Sequence, residues 1–261
     1  METNIEIAKL LFKQKKYQEA IDTCEKVLDI DSNSINALKL ISKSYLAIQN
    51  IENARFYFSK VVSIEPDNYE AIKDLGNIYN SMGDIVKAKY YYLKSISIKN
   101  NYAPALTNLG NIEFKIGNTQ EALSLLIKAT ESEPMLSPVW LNLGSFYNQI
   151  GNQKDAEIFT RKAIEVNPNS VNAHYNLAII LIDLGKREEA AIHLEKAVAI
   201  MPEDEKSVIA LVHHLSYDAK YKLALKYLSK NKSNACQILY LGCLLSLDRE
   251  KDFNDKYKEL Y

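Results

Sequence analysis

Apolar and small residues recur along this chain at the spacing of an α-helix. The spacing is clearest in two consecutive runs: Leu106, Leu109 and Ile112, then Ala122, Leu126 and Ala129. Each run places its apolar side chains on one helix face, which predicts two amphipathic helices in succession. Glycine and proline stand between such runs, where turns are expected. The pattern therefore predicts helices joined by short turns and no strands.

A second and longer spacing, of 34 residues, relates these helices to one another. Alanine follows it seven times, at Ala20, Ala54, Ala88, Ala122, Ala156, Ala190 and Ala224. Glycine follows it in two series, Gly76, Gly110 and Gly144, and Gly83, Gly117, Gly151 and Gly185. A period of this length predicts a repeat architecture, in which each helix pair buries its apolar face against its neighbours.

One copy of the repeat carries a recognisable set of residues: Trp140, Leu143, Gly144, Tyr147, Ala156 and Pro168. This set resembles the tetratricopeptide repeat family, whose 34-residue pattern has Trp, Leu-Gly, Tyr, Ala, an aromatic residue and Pro. Only Thr160 departs from it, where the aromatic residue is expected. The resemblance implies an all-α fold, an α-solenoid in which antiparallel helix pairs form a right-handed superhelix.

The resemblance covers residues 1–231 as seven copies. They begin near Met1, Ile35, Tyr69, Ala103, Ser137, Val171 and Glu205. Residues 232–261 are interpreted as a degenerate eighth repeat or C-terminal cap, because terminal repeats need a polar outer side. A dimerisation helix is the alternative interpretation of this segment.

Composition and charge exclude several classes of protein. With 32 basic and 33 acidic residues, the chain lacks the positive charge that favours nucleic-acid binding. No apolar run approaches the length of a membrane span, and the first residues lack the pattern of a secretory signal. We therefore expect no nucleic-acid partner, no membrane insertion and a cytoplasmic location.

The residues that could carry chemistry show no catalytic or metal-binding spacing. Cys24, Cys236 and Cys243 are too few and too scattered for a disulfide framework or a zinc site, and we interpret them as small core residues. His174 occupies the repeat position of Trp140, which indicates packing. The remaining histidines, His193, His213 and His214, have no cysteine or carboxylate at ligand spacing. We predict no enzyme activity, no metal and no cofactor.

In the family, the first helix of each pair lines the inner, concave wall, and the residues at its fifth, sixth, ninth and thirteenth positions face a ligand. Here those positions change in character along the chain. The early copies supply Lys39, Lys43 and Lys73, and the later copies supply Leu141, Tyr175 and Ile179. This gradient predicts a partner with acidic and apolar portions. The alternative is that the lysines only solvate a helix face.

The sixth positions carry Asn108, Asn142 and Asn176, an arrangement similar to the asparagine ladder of the O-linked N-acetylglucosamine transferases. An amide both donates and accepts hydrogen bonds, so such a column suits a peptide main chain. A purely structural role for these residues is an equal alternative. Lys73, Asn77 and Asn108 also match three positions of the carboxylate clamp that grips chaperone tails. The next repeat supplies no further cation there, which disfavours that role.

Taken together, these residues predict a non-catalytic scaffold that binds another protein or an extended peptide in its concave groove. One alternative is an accessory subunit or substrate-delivering arm of a separate enzyme, such as a glycosyl- or sulfotransferase. An RNA-binding repeat protein would need a basic groove along its whole length, which the apolar later copies do not provide. A homodimer through the terminal helices is a further alternative.

Overall fold

The computed structural model describes residues 2–231 and 233–260, which form sixteen α-helices and contain no strand. The helices are α1 (Glu2–Lys13), α2 (Tyr17–Leu28), α3 (Ile35–Ala47), α4 (Ile51–Ile64), α5 (Tyr69–Ser81), α6 (Ile85–Ile98), α7 (Ala103–Lys115), α8 (Thr119–Ser132), α9 (Ser137–Gln149), α10 (Gln153–Val166), α11 (Val171–Asp183), α12 (Arg187–Ile200), α13 (Glu205–Tyr217), α14 (Tyr221–Leu228), α15 (Asn234–Leu245) and α16 (Glu250–Leu260). The predicted all-α fold of helix pairs is confirmed. The predicted boundaries at Met1, Lys232 and Tyr261 lie outside the described residues.

Seven of the described helices begin at a residue whose side chain satisfies one of the first backbone N–H groups. The side chains of Asn68, Asp84 and Ser170 accept hydrogen bonds from the backbone N–H three residues ahead, at the starts of α5, α6 and α11. Pro104 and Pro138 stand in the first turns of α7 and α9, where a missing N–H has no cost. Capping side chains and first-turn prolines therefore explain why these helices start at these points of the 34-residue repeat.

Each pair of helices is joined by a tight turn that contains one residue in the left-handed conformation. Gly83, Gly117, Gly151 and Gly185 occupy this position with φ between 76° and 91°. Glycine adopts such angles without steric cost because it has no Cβ. The turn reverses the chain within a few residues, so that the second helix of each copy packs on the first.

The chain forms two compact units, residues 1–133 and residues 134–261. Unit 1 contains α1 to α8 and unit 2 contains α9 to α16, and within each unit every helix packs on the next. The 34-residue alanine series lies in these cores, with all seven side chains fully buried. The period therefore marks the helix faces that are in contact.

Close approach of the two helices in a pair depends on a small residue facing a larger one. A Cβ added to Gly76 would lie 2.5 Å from Cε1 of Tyr92 on the next helix. The glycine thus leaves the space that the tyrosine ring fills. Tyr92 is 1% exposed, and it is one of the largest fully buried side chains.

The three cysteines are buried and unbridged, as the sequence predicted. Burial raises the pKa of Cys24 to about 12, so this thiol is protonated and unreactive at neutral pH. Among the residues that the structure describes, no helix has both the length and the apolar character needed to cross a bilayer.

Candidate partner-binding surface

The ten residues predicted to contact a partner all lie on the first helices of their copies. They are Lys39 and Lys43 on α3, Lys73 and Asn77 on α5, Asn108 on α7, Leu141 and Asn142 on α9, and Tyr175, Asn176 and Ile179 on α11. Lys43 is exposed and the others are half-buried. We call the accessible side of α3, α5 and α7 in unit 1, and of α9, α11 and α13 in unit 2, the first-helix face.

The lysines of unit 1 lie beside acidic groups that the sequence analysis did not pair with them. Lys39 Nζ is 2.9 Å from Glu70 Oε2, and Lys73 forms an ion pair with Asp74. The hydrogen bond from Lys39 lowers the pKa of Glu70, and the charge of Lys43 acts in the same direction. Three lysines and two carboxylates leave one excess positive charge. This part of the face is therefore less basic than its lysines alone suggest.

Two asparagines of unit 1 meet directly across neighbouring copies. Asn108 Nδ2 donates to Asn77 Oδ1 at 2.7 Å, and the hydroxyl of Tyr92 donates to the same oxygen at 2.9 Å. Tyr92 reaches this point from α6 because Gly76 leaves room for its ring. The hydrogen bond from its Nδ2 therefore fixes the orientation of the Asn108 side-chain amide. Its carbonyl oxygen accepts no hydrogen bond from the described residues.

Unit 2 carries two neighbouring clefts on its first-helix face. The larger has a volume of about 410 Å³ and includes Leu141, Asn142, Ser145 and Asn176 in its lining. The smaller has a volume of about 220 Å³ and includes Tyr175 and Ile179 together with the same Ser145 and Asn176. The two clefts are therefore continuous. Among the described residues, no charged side chain lines either cleft.

The amide groups of this double cleft are partly committed to the protein. Asn142 Nδ2 donates to the carbonyl of Pro138 at 2.7 Å, and Asn176 Nδ2 donates to Ser145 Oγ at 3.1 Å. By contrast, Asn148 Oδ1 in the smaller cleft is buried and has no hydrogen-bond partner among the described residues. Buried acceptors are normally satisfied. This oxygen therefore lies beneath the wall of the smaller cleft and is not itself exposed in it.

A buried histidine pair was not found by sequence reasoning. His174 Nδ1 and His193 Nδ1 are 2.9 Å apart, and His174 Nε2 is 3.0 Å from the carbonyl oxygen of Pro168. Trp140 and Phe159 form the corresponding stacked pair one copy earlier, with centroids 6.1 Å apart. Burial lowers the pKa of both histidines, to about 4 for His193. The pair is a packing element, and a comparison of the two copies at an offset of 34 residues would have revealed it.

The described residues contain no group of three or more His, Cys, Asp or Glu side chains that could hold a metal ion. The prominent feature of the chain is instead its packed helix pairs, with open clefts along the first helices of unit 2. Such an arrangement of helix pairs defines a helical-repeat protein.

Family models described as tetratricopeptide repeat match residues 11–75, 71–102, 103–134, 137–170 and 171–204. Together these matches span most of the chain, and the chain belongs to the tetratricopeptide repeat family. Proteins of this family are scaffolds for protein interaction, which agrees with the class of function predicted from the sequence.

Solved structures of low sequence identity share the fold. Cut9-Hcn1, an APC/C hetero-tetramer, matches with a TM-score of 0.70 and 19% identity, over 82% of this chain and 42% of that chain. PilW, described as a widely conserved type IV pilus biogenesis factor, matches with a TM-score of 0.66 and 19% identity, over 80% of this chain and 97% of that chain. No curated protein matches the sequence.

Proposed function

We propose that this protein is a non-catalytic scaffold that binds an extended segment of another protein along its first-helix face, in the concave groove that the repeat pattern predicts. The observation that supports this most is the double cleft of unit 2. It is continuous, uncharged and lined by amide and apolar groups. Amide side chains of this kind can both donate to and accept from the main chain of an extended peptide.

The predicted contact residues would bind different parts of the partner, according to their chemistry. Leu141, Tyr175 and Ile179 would contact apolar side chains of the partner. Asn142 and Asn176, and in unit 1 Asn77 and Asn108, would hold its main chain. Lys39, Lys43 and Lys73 would attract an acidic portion, with Lys43 contributing most because it forms no ion pair with a described residue.

Co-purification of the tagged full chain with its partner, followed by quantitative mass spectrometry, tests this proposal. A stoichiometric partner should be recovered with the unaltered chain and largely lost with Tyr175→Ala. Tyr227→Ala is the matched control, because Tyr227 is also half-buried but lines a cleft with Glu195 and Lys226 on second helices. Equal loss of the partner in both variants would refute the proposed face. Recovery of a stoichiometric transferase would instead support the accessory-subunit alternative.

A second copy of the chain is a further partner to test. Ile7 and Leu10 of α1 are 45% and 56% exposed, and they give this helix a partly exposed apolar side. Such surfaces mark interfaces in many proteins. Light scattering on the unaltered chain and on Leu10→Glu would show whether α1 forms a dimer, which the variant should dissociate.

A further inference from the structure

Unit 2 has a third cleft on its first-helix face, between α11 and α13, with a volume of about 270 Å³. Ile179, Ile182 and Ala210 supply apolar side chains to its wall, and Arg187 and Tyr217 lie in the same lining. Ile179 also lines the smaller part of the double cleft. The third cleft therefore adjoins the double cleft at Ile179, and a segment bound in the double cleft would extend towards it.

The guanidinium group of Arg187 in this cleft is held by stacking on Tyr217. The guanidinium carbon of Arg187 lies 4.0 Å from the centroid of the Tyr217 ring, which is a stacking distance. Arg187 forms no ion pair or hydrogen bond with any described residue. Tyr217 is 72% exposed and would otherwise be an unexplained aromatic side chain at the surface. The ring fixes one face of the guanidinium and leaves its N–H donors for a ligand.

One acidic group near the cleft, Asp218, interacts with the charge of Arg187 but forms its ion pair with Lys220. Asp218 lies next to Tyr217 in the chain and pairs with Lys220 at 2.8 Å. The hydrogen bond from Lys220 lowers the pKa of Asp218, and the charges of His214 and Arg187 add to this effect. His213 and His214 complete the lining of the cleft. The local surface thus combines an apolar wall with the N–H donors of Arg187.

We propose that this third cleft recognises an internal partner segment in which an Asp or Glu stands two residues from a large aliphatic side chain. In an extended chain, side chains two residues apart point to the same side and are separated by about 6.6 Å. One would enter the apolar part of the cleft while the carboxylate accepted paired hydrogen bonds from Arg187. An internal segment is favoured over a chain end because the cleft adjoins the double cleft. This inference rests on the proposed function and specifies the partner's chemistry.

The test is a selection from a library of 12-residue peptides with amidated C-termini, using the full chain as bait. Enriched peptides should carry an aliphatic residue and an acid two positions apart. In a selected peptide, replacing the acid by its amide should weaken binding about tenfold, and Arg187→Ala should have a similar effect. Arg187→Lys should restore part of the affinity, since it keeps the charge but loses the paired geometry. Lys154→Ala, which removes an exposed cation elsewhere in unit 2, should change nothing.

Several results would overturn the inference. Enriched peptides without an acid, binding that Arg187→Ala leaves unchanged, or enrichment only in a parallel library with free C-termini would each contradict it. Peptides that depend on Tyr175 but not on Arg187 would leave the proposed function standing and remove only this inference. If the peptides depend on neither residue, or none is enriched, both fail. Circular dichroism of each variant confirms that it is folded.

Discussion

At the scale of single residues, the turn inside each helix pair places every copy under the same backbone constraint. One residue of this turn must adopt a positive φ, and in four copies it is glycine. In three other copies the equivalent residue is Lys15, Gln49 or Ala219, with φ of 61°, 61° and 54°. A residue with a Cβ is strained by about 1–2 kcal/mol in this region. These three copies therefore contain removable strain.

Replacing Ala219 with glycine should raise the free energy of unfolding by about 0.5–1 kcal/mol, since the released strain exceeds the entropic cost of glycine. The reverse change, Gly117→Ala, should lower it by a similar amount. Gly242→Ala is the control. Gly242 lies inside α15 without positive φ, and an added Cβ would meet no atom within 4 Å. Urea denaturation of the variants measures all three effects, and destabilisation by Ala219→Gly would contradict the account.

The histidine pair makes stability depend on pH. Burial lowers the pKa of His193 from its ordinary value near 6.5 to about 4, and lowers that of His174 as well. Arg161 on α10 and Lys196 on α12 disfavour the charged form of His193 further, whereas Glu189 favours it. Between pH 6.5 and 4 the unfolded chain therefore binds more protons than the folded chain. Stability should be highest above pH 6.5 and decrease as the pH falls towards 4.

Thermal melts at pH 7 and pH 5 test this dependence. The double change His174→Trp with His193→Phe copies the pair that Trp140 and Phe159 form one repeat earlier, and it should reduce the loss of melting temperature at pH 5. His213→Ala should leave that loss unchanged, because His213 is exposed. An identical loss in the double variant would show that other groups control the acid sensitivity.

At the scale of helices, the repeated alanine fixes which faces of a pair meet. Ala122 on α8 is fully buried, and its carbonyl oxygen would lie 3.3 Å from a Cβ added to Gly110 on α7. A larger side chain at this point would force the two helices apart. We expect Ala122→Leu to lower the free energy of unfolding by about 1–3 kcal/mol through overpacking.

The matched control for this change is Ala47→Leu, in the same unit at the exposed end of α3. It should change stability by less than about 0.5 kcal/mol. Denaturant unfolding followed by circular dichroism measures both variants. Equal effects in the two would mean that the alanine series does not mark the contact between paired helices.

Helix positions were predictable from the sequence because turns and contacts carry residue-specific signals. Glycine marks the left-handed turn, proline marks a first turn, and small residues mark close approach. Side-chain pairing across copies carries no such signal. The hydrogen bond between the side chains of Lys39 and Glu70 joins residues 31 positions apart and depends on their rotamers. Arg187 stands at a helix start, where the repeat pattern says nothing about the ring of Tyr217.

Across the molecule as a whole, we expect the lysines and the apolar residues of the first-helix face to play different roles in binding. Reversal of Lys39, Lys43 and Lys73 to Glu should slow association with the partner and remove its salt dependence, because charges outside a buried contact act mainly on encounter.

The control for this charge change is reversal of three lysines on the second helices of unit 1, Lys26, Lys60 and Lys94. It alters the net charge equally and should affect association much less. Association rate constants at low and high salt measure both. If the two sets act alike, the net charge of the protein and not the first-helix face governs the encounter.

Site-specific photo-cross-linking shows whether the partner lies on the first-helix face of unit 2. A photoreactive phenylalanine would replace Ile179, which lines two of the clefts on α11, or Ile192, which is 53% exposed on the second helix α12. The account predicts a covalent product with the partner from position 179 and none from position 192. A product from position 192 alone would contradict it.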